Sequence, residues 1–336
     1  MTATMMDIAK DLKVSVVTVS KVLRNQGRIS DATRKRVLRR AKELNYQMNW
    51  VARSLVTKRT YTIGLLLPEF THPFFAEIAR AVAQTVRPHG YHVVISCFEE
   101  DPALEASEAD SLLARRVDGL IIASSQPARC LNMFKRVQEQ NVPYVLIDRP
   151  VAGLRACFVG VDNHAIGRLA TEHLIARGCR RIAHLRGPEV GIAAERLAGY
   201  RQALARHGLR PNSHYIVPGG HRDDTGYEGM RKLLDLNPFP DGVFCYNDPV
   251  AIGAMRAILE VEFNLPDDIC VVGAGNIHYS DQVAVPLTTV DQGTCTIGAL
   301  AAELLLERIA SKRAMRPRKI LIPPKIVERA STRRRV

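Results

Sequence analysis

Hydrophobic positions in the first 44 residues recur at three- and four-residue spacing, in three short segments without strand-like alternation. They predict helices over about Met6–Leu12, Val16–Leu23 and Ala32–Leu44. Ser15 stands at the N-cap of the second, and Ser30 or Asp31 at the N-cap of the third, after the loop "RNQGRIS". The third helix carries Val37, Leu38, Ala41 and Leu44 as its apolar stripe. In the second, one valine points the wrong way. With Val19 at the centre of the buried face and about 100° per residue, Val22 and Leu23 fall inside, whereas Val17 and Lys21 lie roughly 160° and 200° away and Val16 at the margin. Two helices joined by a tight turn with a third behind them form a helix-turn-helix module. So short a module buries little surface and is marginal by itself.

From Tyr61 the pattern changes. Apolar runs ("TIGLLLP", "HVVISCF", "GLIIAS", "PYVLID", "RRIAHLR", "HYIVPG", "GVFCYN", "ICVVGAG", "LTTVDQ") alternate with helical stretches, which predicts parallel sheets covered on both faces. Nine strands exceed one sheet of about six. Two α/β lobes are therefore expected, with the joint near Gly160-Val161-Asp162. The chain is expected to cross back after Val285, because the helix "TCTIGALAAELLLERIA" needs a sheet to cover. Between module and body, in "NWVARSLVTKRT", Asn49 caps a short helix to about Val56 with Val51, Leu55 and Trp50 on one face. So short a helix needs a partner to be stable. The expected organisation is a head (1–47), a hinge helix and linker (48–60) and a body (61–336). The body's first lobe covers about 61–160 and 290–320, its second about 161–289 and 321–330.

Charge sharpens this division. The first 60 residues hold fourteen Lys/Arg and four Asp/Glu, a local charge of +10, leaving +3 of the total +13 to the other 276. A small basic module on a near-neutral body suggests a polyanion partner, most often nucleic acid. No apolar run approaches the roughly 20 residues of a membrane span, and the N-terminus lacks the apolar core of a secretory signal. The seven cysteines are scattered without a CxxC, which reads as reduced thiols in a cytoplasmic protein. No metal-ligand spacing or nucleophile–base pairing emerges, so no metal or cofactor is expected. "VVGAGNIH" resembles a dinucleotide fingerprint, but GxGxxG would need Gly where His278 stands, so catalysis is disfavoured. The alternative is a solute-binding protein without a DNA role; the basic head argues against it.

The segments "MDIAKDLKVSVVTVSKVL", "SDATRKRVLRRAKELNY", "NWVARSL" and "IGLLLP", followed by "RVDGLII", "VPYVLIDR", "GVFCYND" and "PLTTVDQ", occur in the order typical of one family. Over roughly residues 4–330 the chain resembles the LacI/GalR family of bacterial transcriptional regulators. The resemblance implies a DNA-binding head, a hinge helix that folds on the operator, and a two-lobed body like that of periplasmic sugar-binding proteins. It implies a homodimer, or a tetramer made of two dimers, on near-palindromic double-stranded operator DNA. A small effector, often a sugar or nucleobase, would sit between the lobes and control operator affinity.

Carried over by position, the resemblance places Val16, Val17 and Lys21 against base edges in the major groove. Valine methyls can pack on thymine C5-methyls, and Lys21 can donate to guanine O6 and N7. Thr18, Ser20, Asn25, Ser30, Thr33, Asn45 and Tyr46 become phosphate-contact candidates, some of them caps only. In the hinge, Leu55 would wedge into the minor groove, with Asn49 and Ala52 beside it. The effector candidates are Phe74, Asp148, Arg196, His221, Asn247 and Gln292. Three positions depart from the family pattern. Lys13 stands where the turn often has Gly, at a cost of about 1 kcal/mol if it is left-handed. Met48 replaces a common Pro. Gly275, in "VVGAGN", stands where an Asp usually grips effector hydroxyls. That loss of a carboxylate suggests tolerance of a more acidic ligand, a sugar acid or sugar phosphate.

Overall fold

The computed structural model describes residues 3–23, 27–46, 59–127, 130–188, 191–311 and 315–333. The chain divides into two units, Met1–Thr60 and Tyr61–Val336.

The first unit contains α1 (Met5–Leu12), α2 (Val16–Leu23) and α3 (Asp31–Glu43). Thr4 and Asp7 form a reciprocal capping box at the start of α1, and Ser30 caps α3 by accepting from Thr33 N. Ile8, Ala9, Val19, Val22, Val37 and Ala41 make a small core, with Leu44 and Tyr46 packed on its edge. Leu38, expected in the stripe, is 48% exposed. One position past Val37, it lies about 100° round the helix and misses the contact. The Arg40 guanidinium forks onto Asp11 (2.8 and 2.6 Å), and Arg36 donates to the carbonyl of Leu12, tying α3 to the end of α1. Lys13 is left-handed (φ 53°, ψ 44°), and its N–H closes the helix onto Ala9 and Lys10 carbonyls. The conformation suited to glycine is thus carried by lysine.

In the second unit the elements alternate: β1 (Thr62–Leu67), α4 (Pro73–Val86), β2 (His92–Cys97), α5 (Pro102–Ala114), β3 (Gly119–Ile122), α6 (Asn132–Glu139), β4 (Tyr144–Ile147), β5 (Cys157–Val161) and α7 (Asn163–Ala176). Then follow β6 (Ile182–Arg186), α8 (Gly191–Arg206), β7 (Ile216–Pro218), α9 (Asp223–Leu234), β8 (Gly242–Cys245) and α10 (Asp248–Glu260). The last are β9 (Cys270–Gly275), β10 (Thr288–Asp291), α11 (Thr294–Ala310), β11 (Lys319–Ile322) and β12 (Lys325–Val327).

Two six-stranded sheets result, ordered β11-β5-β4-β3-β1-β2 and β12-β10-β9-β8-β6-β7. Every pairing is parallel except β10 with β12. The chain passes between lobes three times: after β5, after β10 and between β11 and β12. The second passage lies at Gln292-Gly293, slightly beyond the expected 290, because Thr288–Asp291 pair with β9. The third lies at Pro323-Pro324, beyond the expected 320, because β11 pairs with β5 through Ile322. Helix α11 covers the first sheet, packing Ile297, Ala301 and Leu305 with α4 residues Ile78 and Val82. Caps set where helices start: Asp101 caps α5, Asp162 caps α7 and Asn247 caps α10, with Pro102 and Pro249 in the first turns. Among the described residues no helix is long and apolar enough to cross a membrane.

Candidate DNA-reading face and effector cleft

Helix α2 buries Val19 and Val22 and leaves Val17 60% and Val16 39% exposed. Lys21 is exposed too, and its stem runs past Gly27, whose missing Cβ would lie 3.3 Å from Lys21 Cδ. The face therefore presents two apolar methyl clusters and one cation. Thr18 is engaged locally: its N–H donates to Ser15 Oγ (3.0 Å), and the two hydroxyls are 2.8 Å apart. Likewise Ser30 Oγ donates to Thr33 Oγ1 at 2.9 Å. Ser15 and Ser30 thus serve as caps, with the Thr18 and Thr33 hydroxyls bonded to them, and each hydroxyl keeps capacity for a further contact. Ser20 and Tyr46 are half-buried, and Asn45 is exposed in a left-handed turn (φ 47°). Asn25 and the hinge residues Asn49, Ala52 and Leu55 lie outside the described residues, as does Met48.

In the body, Phe74, Asp148, Arg196, His221, Asn247 and Gln292 all line one cavity between the lobes. They reach it from separate elements: the start of α4, the end of β4, α8, the loop before α9, the end of β8 and the turn after β10. Every contributing strand delivers its carboxyl end, where open parallel sheets bind ligands.

Arg196 is 3% exposed. Its Nε donates to Asn163 Oδ1 (3.0 Å), its Nη2 to Gln292 Oε1 (3.0 Å) and its Nη1 to the carbonyl of Tyr246. All three acceptors are neutral, and burial lowers the Arg196 pKa. Its position depends on how closely α7 and α8 approach. A Cβ on Gly167 would lie 1.9 Å from the Arg196 carbonyl oxygen, so only glycine lets the two backbones meet there.

Asp148 is left-handed (φ 62°) and buried, and burial raises its pKa. Beside it Arg149, which the sequence reading passed over, carries a dense network. It forks onto Glu100 (2.6 and 2.5 Å), donates to Ser125 Oγ (3.0 Å) and sets its Nε 3.3 Å from Asp148. Burial alone would lower the Arg149 pKa; Glu100 and Asp148 outweigh it and raise it. Tyr246, also missed, lies beneath the Arg196 guanidinium. Arg149 follows Asp148 at a strand end, a signal that pattern reading can use. Glu100 gives no such signal within "FEED".

Links cross the cavity from lobe to lobe. Glu69 meets His221 at 3.3 Å, Glu77 meets His278 at 3.4 Å, and Asn247 Nδ2 lies 3.1 Å from His72 Nε2. Burial pushes the His72 pKa down to about 4, so this ring is neutral near pH 7. The space open to the centre of a water-sized sphere is about 60 Å³.

Gly275 has φ +148° and borders the cavity. A Cβ there would sit 3.3 Å from Asp248 Oδ2. Asp248 is itself buried and turned away, accepting from Ile277 N (3.0 Å) and Thr289 Oγ1. Burial pushes its pKa up to about 6. Among the described residues, lobe 2 therefore contributes no carboxylate to the cavity wall.

Comparison with known proteins follows this division into head and body. The profile described as "Bacterial regulatory proteins, lacI family" matches residues 4–49, and "Periplasmic binding protein-like domain" matches 171–332. The ribose operon repressor of Halalkalibacterium halodurans is 37% identical over 98% of this chain and 97% of its own length. The chain belongs to the LacI family of bacterial transcriptional regulators. LacI-family members are DNA-binding repressors, not enzymes, and this chain has their head and their two-lobed ligand-binding body. A solved lac repressor dimer bound to operator and the anti-inducer ONPF superposes with a TM-score of 0.85, at 29% identity and 99% coverage of both chains. A LacI-family regulator from Enterococcus faecium with bound ribose gives 0.73, at 27% identity over 80% of this chain and 98% of its own.

Proposed function

We propose that this LacI-family regulator is a cytoplasmic homodimer whose two heads read a near-palindromic operator, and whose lobes close on a pentose or similar polyol that resets operator affinity. Val16, Val17 and Lys21 are assigned to base edges, with thymine methyls against the valines and a guanine under Lys21. Thr18, Ser20, Ser30, Thr33, Asn45 and Tyr46, together with Asn25, are assigned to phosphates. Leu55, with Asn49 and Ala52, is assigned to the minor groove.

The observation that carries the switch is the convergence of Asp148, Arg196, Asn247 and Gln292, from both lobes and the crossover, on one cavity. A carboxylate and a guanidinium across a small space can grip vicinal hydroxyls, while Phe74 covers the ring's apolar face. Ribose is the leading compound, because the relatives above regulate a ribose operon or hold ribose. Dimer formation is supported by apolar surface on both lobes: exposed Phe70, Val94 and Ile95 on the first, and a groove of Ile252, Met255, Leu259, Val283 and Val285 on the second. The second copy is the occupant assigned to these faces, since a two-fold operator demands two heads.

Ligand binding to one conformation of the lobes shifts their population, and linkage passes that shift to the DNA. The test is calorimetric titration of the full-length protein with D-ribose and with hypoxanthine. Saturable ribose binding that Asp148→Asn abolishes supports the pentose reading; tighter hypoxanthine binding replaces it with a nucleobase.

A further inference from the structure

We infer that Glu100 is a charge filter on the effector cleft: by closing on Arg149 it makes the site take uncharged polyols and reject their acidic or phosphorylated counterparts. The inference rests on the effector reading above and adds the ligand's charge class to it.

Guanidinium groups are the natural receptors for carboxylate and phosphate, which they bind as a fork. The cavity has two. The two terminal nitrogens of the Arg149 fork are already taken by its own chain, with Nη1 and Nη2 on the two Glu100 oxygens and Nη1 on Ser125, while the buried Nε lies 3.3 Å from Asp148 without a hydrogen bond. Ser125 Oγ also donates to Glu100, which holds that carboxylate in place. Arg196 has each nitrogen engaged with a neutral acceptor deep under the wall. An incoming anion must displace Glu100 or bind beside it. Glu69, Glu100 and Asp148 face Arg149 and Arg196 in the lining, so the wall's carboxyl groups outnumber its guanidinium groups.

The backbone supports a dedicated role for Glu100. Glu99 and Glu100 are consecutive left-handed residues (φ 51° and 61°), a conformation that costs non-glycine residues and persists only when the surroundings enforce it. Here the turn between β2 and α5 carries the Glu100 carboxylate to the Arg149 fork. The acidic ligand suggested by Gly275 alone meets the opposite electrostatics: the carboxylate missing from lobe 2 is offset by lobe 1.

The test titrates wild type and Glu100→Gln with three probes: D-ribose, D-ribose 5-phosphate and inorganic phosphate. In wild type, ribose binds at least about 100-fold tighter than ribose 5-phosphate, and phosphate gives no saturable heat. In Glu100→Gln that gap narrows at least about tenfold, and phosphate binds. Wild-type binding of ribose 5-phosphate as tight as that of ribose overturns the inference, as does a cooperatively melting Glu100→Gln whose anion affinities match wild type. Should the variant not fold, the wild-type comparison decides alone. Failure of wild type to bind ribose sinks the pentose reading, while the two anionic probes still decide the filter.

Discussion

The guanidinium carbon of Arg196 lies 4.8 Å above the centre of the Tyr246 ring, and the same guanidinium donates to the Tyr246 carbonyl. One side chain thus joins α8 to the end of β8, and through Gln292 to the crossover that leads back to the first lobe. A ligand touching Arg196 touches the joint between lobes. Lysine keeps the charge but cannot serve three acceptors in a plane. Arg196→Lys is expected to weaken effector binding about 100-fold, the scale of two lost charge-assisted hydrogen bonds, while operator binding without effector persists. Paired calorimetry and operator-shift assays check this; loss of both together would assign Arg196 to the fold alone.

The α7–α8 contact gives a stability test. Gly167→Ala places a methyl group 1.9 Å from a backbone oxygen that cannot yield without moving α8. Overpacking of this kind costs about 1–3 kcal/mol or more. Urea melts should show it, with effector affinity falling as well because Arg196 moves. Wild-type stability in the variant would mean that the helices separate freely.

His184 is buried between the rings of Phe244 (4.5 Å) and Tyr200 (5.4 Å), and its Nε2 faces no hydrogen-bond partner among the described residues. Burial pushes its pKa down to about 4. The unfolded chain, with an ordinary value near 6.5, then binds more protons between these pH values, so stability falls as pH drops from about 6.5 to 4. The displacement is worth about 3 kcal/mol. Relative to His184→Phe, wild type should lose about that much across this window in denaturant melts at stepped pH. Parallel curves would show that the ring titrates normally.

Two α/β lobes with parallel sheets, their joint and the return crossing were legible from residue pattern, the third crossing and the full strand count were not, and the ends of α2 agree to the residue. Seven of the nine apolar runs form strands that are buried almost throughout, whereas β2 and β7 lie at the sheet edges and stay partly exposed. β5, β11 and β12 are not among the nine runs: β5 falls at the expected joint between the lobes, and the other two, four and three residues with lysines at their starts, do not stand out from a loop until the partner sheets make them strands. At the site, the effector candidates came by position from the family resemblance, and they line one cavity because strand ends converge in this topology. Glu100 was not, because a left-handed turn rather than any periodicity brings it to Arg149. The spacing placed Leu38 in the core by one position too many.

Lys13 offers a prediction in the opposite direction. Its left-handed backbone costs about 1–2 kcal/mol for a residue with a Cβ. Lys13→Gly removes that cost and adds some freedom to the unfolded chain, for a net gain of about 0.5–1 kcal/mol. Hydrogen exchange of α1 and α2 amides in the full-length protein should slow by a few-fold. Faster exchange would mean that the lysine stem contributes packing that outweighs the strain.

The central claim is that α2 reads DNA and that the cleft governs how tightly it does so. It is tested most directly by selecting binding sites from random duplexes with the purified protein, then measuring affinity for the selected site with and without D-ribose at fixed salt. The account predicts a near-palindromic site with thymines beside a guanine in each half, a preference for that guanine that Lys21→Ala relaxes by about 1–3 kcal/mol, and an affinity that ribose changes at least about fivefold. Enrichment of no sequence at low ionic strength, or a selected site bound equally with and without ligand, would contradict it.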